Sequence, residues 1–104
     1  MALDRISVLK SLVDQNPADA FSRYGLALEY VKTGALSDAM AEFRALLDHN
    51  PDYAAGYFHG AQTLEKLGDL EGARELYRRG IDVTTRTGDL HTRSELQGAL
   101  DLLG

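Results

Sequence analysis

The sequence predicts an all-α protein, six helices set down as antiparallel pairs in a single domain over residues 1–104. Three observations predict it. Landmarks recur at one lag: Asn16-Pro17 returns as Asn50-Pro51, and the segment from Gly34 to Ala39 returns as Gly68 to Ala73, both 34 residues on. Ala20/Ala54, Ala27/Ala61, Lys32/Lys66, Arg44/Arg78 and Asp48/Asp82 keep the same lag. Apolar residues within each period fall at helical spacing, and prolines and glycines fall where helix ends are due.

The helices follow in order. Residues 3–15 read as a lone second helix of a pair, with Ile6, Leu9 and Leu12 standing opposite Met40, Phe43 and Leu46 at the common lag. Over 20–33, Leu26, Ala27, Tyr30 and Thr33 form one stripe at 3.6-residue spacing. Pro17 suits the first turn of that helix, where a missing N–H costs nothing, and Asn16 suits its cap. Gly34 suits the left-handed residue that ends it. Over 37–49, Ala39, Met40, Phe43, Leu46 and Leu47 repeat the helical spacing, with Ser37 as the cap. The next pair repeats this punctuation with Asn50-Pro51, Gly68 and Asp69. Residues 89–103 read as a closing first helix after a two-residue insertion, which sets Arg93, Leu96, Leu100 and Gly104 opposite Arg23, Leu26, Tyr30 and Gly34. In that register Gln97 stands where the units have the small Ala27 and Ala61.

A lone helix pair cannot cover its own apolar face, so stacked pairs bury a continuous core and the ends need polar-faced caps. Ala27, Ala39, Ala61 and Ala73 let helix axes approach closely, and Phe43 and Tyr77 fill the space beside them.

These residues resemble the tetratricopeptide repeat. Residues 20–53 carry Leu26-Ala27, Tyr30, Gly34, Ala39, Phe43, Leu46 and Pro51 where that family's 34-residue unit has its small and apolar positions. Residues 54–87 carry Tyr57, Ala61, Leu64, Gly68, Ala73, Tyr77 and Gly80. The departures are Arg23 for a large apolar residue, Gly60 for leucine and Thr85 for proline. The resemblance implies a right-handed α-α superhelix: an N-terminal capping helix (3–15), two repeats (20–53 and 54–87) and a C-terminal capping helix (89–103).

Composition removes whole classes of function. A chain 44% hydrophobic and 26% charged is globular rather than disordered. Charge interrupts every apolar stretch within a few residues, so no bilayer span and no signal peptide is expected, and the expected location is cytoplasmic. Met1 and the two half-units lead to the expectation of a complete chain. The absence of cysteine excludes disulfides, thiolate metal sites and cysteine nucleophiles. A net charge of −5 argues against a nucleic-acid partner, and the one arginine cluster, Arg74, Arg78 and Arg79, sits among Asp69, Glu71, Glu75 and Asp82 as a solvated helix face.

No catalytic pattern stands out. His49, His59 and His91 have no i,i+4 partner histidine and read as three surface residues, so no metal is expected. The glycines make no phosphate loop, there is no Gly-x-Ser-x-Gly elbow, and no cofactor is expected. The chain reads as no enzyme.

Surface shape remains. The resemblance implies that first helices line a concave face, which by position brings Phe21, Tyr24, Leu28, Val31 and Lys32 together with Ala55, Phe58, Gln62, Glu65 and Lys66. The last helix adds His91, Ser94, Gly98 and Asp101. Phe21, Tyr24, Leu28 and Val31 form a second apolar stripe on a helix that already has one, which a helix buried on one side does not need. The expected partner-binding residues are therefore Phe21, Tyr24, Leu28, Val31, Phe58, Gln62 and Glu65, taking a protein or peptide with an apolar or amphipathic segment. Two other readings stay open: the stripe is covered within the fold, or it mediates a homodimer. Repeats of this family that clamp chaperone C-termini use Lys, Asn and Arg at positions that hold Tyr24, Leu28, His59, His91 and Glu95 here, so that sub-function is not expected. The leading expectation is an interaction scaffold or adaptor, with a self-assembling subunit or a non-catalytic accessory of an enzyme complex as the alternatives.

Overall fold

A computed structural model describes residues 4–104, and among them there are six helices and no strand. They are α1 (Arg5–Gln15), α2 (Ala20–Lys32), α3 (Leu36–His49), α4 (Ala54–Lys66), α5 (Leu70–Thr87) and α6 (Leu90–Leu103). Leu3, the expected start of the first helix, and Met1 lie outside the described residues. Asp4 caps α1, its carboxylate accepting from the Ser7 N–H at 2.7 Å.

The glycine punctuation is as expected. Gly34 and Gly68 take φ of +83° and +85°, a conformation that any residue with a Cβ would find strained. The amides of Ala35 and Asp69 then reach back to the Tyr30 and Leu64 carbonyls at 2.8 and 2.9 Å, closing α2 and α4 with the six-to-one bond of a Schellman motif.

The proline punctuation corrects the expectation. Asn16 and Asn50 close the preceding helices, their amides bonding the carbonyls of Leu12 and Leu46, and Pro17 and Pro51 sit in turns outside α2 and α4. The physical reason is that proline forces the residue before it out of the helical region, and Asn16 lies at φ −144°, ψ 84°. Ser37 is likewise not a cap: it lies inside α3, and Ala35 holds the cap position with no side-chain bond. Asp69 does cap α5, accepting from the Gly72 N–H at 2.9 Å.

Each helix packs on its neighbours in sequence. In addition α4 touches both α2 and α6, whereas the backbones of α1, α3 and α5 do not come close to one another among the described residues. The even helices are thus drawn together and the odd ones spread, which curves the stack toward the even side. The main core joins Ala27, Ala39, Phe43, Leu46, Tyr57, Ala61, Ala73, Tyr77 and Leu96, while Leu9 and Val13 of α1 pack on Leu26.

Each departure from the repeat pattern has a local cause. Arg23 donates to the Pro17 carbonyl at 2.9 Å and pairs with Glu42 at 2.9 Å; 34 residues later Tyr57 donates its hydroxyl to the Pro51 carbonyl at 2.7 Å. Arginine and tyrosine therefore make the same tie between helix and preceding turn. At Gly60 a Cβ would stand 2.9 Å from Leu76 Cδ2, so leucine has no room there. With Thr85 in place of proline nothing stops α5, which runs on to Thr87 and ends at Gly88, φ +78°. That extension is where the inserted residues go.

The ends differ from the middle. Where Ala27 and Ala61 are fully buried, Gln97 is exposed and bonds Asp101 at 2.9 Å. Arg5, one lag before Ala39, is exposed and pairs with Glu29 at 2.8 Å. Inside the stack, Ala61→Leu is expected to overpack the α4 seam and cost ~1–3 kcal/mol, read as a lowered urea midpoint at unchanged slope.

Candidate interaction surface

The even helices carry a connected run of aromatic rings. Tyr24 of α2 packs on Tyr53, just before α4, with centroids 5.2 Å apart, and on His59 of α4 at 5.8 Å. His59 meets Phe58 edge-on at 5.4 Å, and Phe58 meets Tyr77 of α5 edge-on at 6.3 Å. Edge-to-face pairs at these distances add to plain burial. The run crosses from α2 to α5 on the side toward which the stack curves.

Burial sets the electrostatics of this wall. Desolvation, with a smaller contribution from Tyr53, raises the Tyr24 phenol above its ordinary range. Burial also holds His59 below an ordinary imidazole; Glu95 opposes that shift and Lys66 adds to it. Tyr77 is fully buried and donates its hydroxyl to Glu65, and burial with this bond keeps its phenol protonated far into base. His49 and His91 are exposed, as expected. His59 is half-buried between rings, which corrects the expectation of three surface histidines: the α2–α4 contact covers it.

The expected binding residues divide in this geometry. Phe21 is 79% exposed, at the open edge of α2. Tyr24, Leu28, Val31 and Phe58 are half-buried and pack on the main core, so each shows one side outward. Gln62 is half-buried, and Glu65 is engaged by Tyr77. On α6, Ser94, Gly98 and Asp101 are exposed, and His91 pairs with Glu95 at 3.3 Å. Sequence reasoning missed Tyr53, and it put His59 at a concave clamp position of the family without counting it among the binding residues. Their counterparts at the repeat lag are Asp19 and Gly25, so the period offered no signal for either.

A cleft lies on the opposite side, between α3 and α5, with a volume of about 320 Å³ over Met40, Phe43, Leu64 and Leu76. Arg44 and Arg79 stand at its rim with Asp48 and Glu75. Among the described residues no group of three His, Asp or Glu is placed to hold a metal ion, and no helix is long and apolar enough to cross a membrane.

Paired helices stacked at a 34-residue period, with small residues at the seams, define a helical-repeat protein. The chain belongs to the tetratricopeptide-repeat family. It is similar to a tetratricopeptide repeat domain protein of Salinibacter ruber, with 36% identity, 85% of this chain and 89% of that one covered, and a TM-score of 0.80. A TPR repeat-containing protein of Pseudomonas aeruginosa is 25% identical over 91 residues, covering 88% of this chain and 87% of that one. PcrH, solved in complex with the chaperone binding region of PopD, shares the fold at a TM-score of 0.88 and 17% identity, over 94% of this chain and 74% of its own. No family model matches the chain.

Proposed function

We propose that this chain is a non-catalytic adaptor of the cytoplasm that holds an apolar or amphipathic segment of another protein against the inner wall of α2, α4 and α6. The observation that carries the reading is the wall itself. Phe21 stands 79% exposed beside half-buried Tyr24, Leu28 and Val31, each of which shows one side outward. Rings held by their neighbours present area at little entropic cost, which suits them as anchors. The shared fold of PcrH, captured with a segment of PopD, supports a segment as the kind of ligand.

The test is affinity capture from the native cell with mass spectrometry, using the Phe21→Ser/Phe58→Ser double variant as control. Partners retained by the wild type are expected to be lost by the variant while its helical circular dichroism persists. Capture undiminished in the variant removes the reading. A homodimer through the same wall is the competing outcome: light scattering then gives about twice the 11.4 kDa chain mass, and the double variant reverts to one.

A further inference from the structure

We infer that His59 makes this inner wall proton-responsive: charging its imidazole in mildly acidic solution loosens the Tyr24–His59–Phe58 packing and puts a cation at the apolar centre of the groove. This rests on the proposed function above and adds a regulation to the same site. His59 bridges the wall, its ring between Tyr24 of α2 at 5.8 Å and Phe58 at 5.4 Å, and Tyr24 in turn holds Tyr53. The groups that face it are few. Tyr24 comes from α2, with Tyr53 of the α3–α4 turn behind it, Lys66 lies on its own helix, and Glu95 comes from α6. Glu95 is shared, since His91 Nε2 pairs with it at 3.3 Å. The carboxylate whose charge favours protonated His59 is therefore already paired with another imidazole.

The sign follows from burial. Desolvation is the largest influence on His59 and disfavours the charged form, Lys66 adds to it, and Glu95 offsets it in part. The folded chain therefore takes up this proton at lower pH than the unfolded chain, whose imidazole titrates near about 6.5. Above that value the wall is neutral and intact. Stability is lost as pH falls from there through the folded midpoint. A ligand that needs the neutral wall loses affinity about tenfold per pH unit once below that midpoint, because the competent fraction falls at that rate.

Two measurements on the full chain test this. Proton–carbon NMR of the three histidines is followed from about pH 8 to 5, a range that spans ordinary imidazole titration. The His59 midpoint is expected below the ordinary imidazole value of about 6.5, with the Tyr24 and Phe58 ring signals moving at that midpoint, and lower still in Glu95→Gln. Ring signals that stay still through that midpoint, or a His59 midpoint above the ordinary imidazole value, overturn the inference. In the second, Nile red serves as a neutral apolar probe over the same range: binding is expected to fall with the His59 midpoint in the wild type and to be flat in His59→Gln. Equal wild-type binding at both ends sinks the switch and leaves the groove standing. Failure to bind at neutral pH, or binding kept by Phe21→Ser/Phe58→Ser, counts against the groove, and the NMR result then decides the switch alone.

Discussion

Phe43→Ala is expected to cost ~3–5 kcal/mol, the loss typical of a buried aromatic truncated where its surroundings cannot collapse. Phe43 is fully buried at the α3–α4 contact, and a Cβ added at Gly60 would stand 3.5 Å from Phe43 Cβ. That proximity is why the loss belongs at the high end. Gly60 of α4, facing Phe43, carries no side chain that could move into the space the ring leaves. Leu76, which fills the other side of Gly60, is anchored on α5 and is itself buried. With domains of this size commonly stable by about 5–15 kcal/mol, the variant sits near the edge of folding, and its urea midpoint should drop steeply with the slope retained. An unshifted midpoint would contradict the stacked-pair core.

The fold was legible because the signals that specify it are local and repeated. Gly34 and Gly68 end helices by their own backbone freedom, and Ala27 with Ala61, and Ala39 with Ala73, mark the seams. The Asn-Pro landmark was read with the right period and the wrong side: a proline can open one helix or close another, and only the bond from Asn16 to Leu12 shows which. Ser37 misled for a related reason, since a good capping residue one position late is simply a helical residue.

The wall was legible in part. Helical phase alone puts Tyr24, Leu28 and Val31 beside one another. How much of each is covered depends on which ring the next helix brings, and that is a tertiary matter. Tyr53 lies in a turn, outside any helical stripe, and covers one side of Tyr24. Glu65 shows the same limit: its counterpart Val31 suggested a groove residue, but Tyr77 carries a hydroxyl that Phe43 lacks, and that hydroxyl bonds Glu65. A repeat comparison sees the matched positions and is blind to the consequences of a single added oxygen.

Leu96→Ala is expected to cost ~2–5 kcal/mol, and it tests the one register that the period fixed least firmly. Leu96 is the buried residue of α6, fully covered, and its Cδ1 would stand 3.0 Å from a Cβ at Gly80. Gly80 has no side chain because Tyr57 Cβ would lie 2.7 Å from one, so Leu96 enters a slot between α4 and α5 that nothing else fills. Truncation leaves that slot open. Because α6 packs mainly on α5 and only lightly on α4, the loss should appear first as local detachment. Amides of α6 are expected to lose hydrogen-exchange protection while those of α2, α3 and α4 keep most of theirs. Gln97→Ala is the control, since exposed Gln97 faces out and alanine favours a helix; its effect should stay within about 0.5 kcal/mol. Were the helix turned by one residue the two variants would exchange roles, with Gln97→Ala the damaging one. Arg74 of α5 gives an independent reading of the same attachment. Arg74 donates to the carbonyls of Leu103 and Gly104 at 3.3 and 3.2 Å, so it ties the far end of α6 to α5.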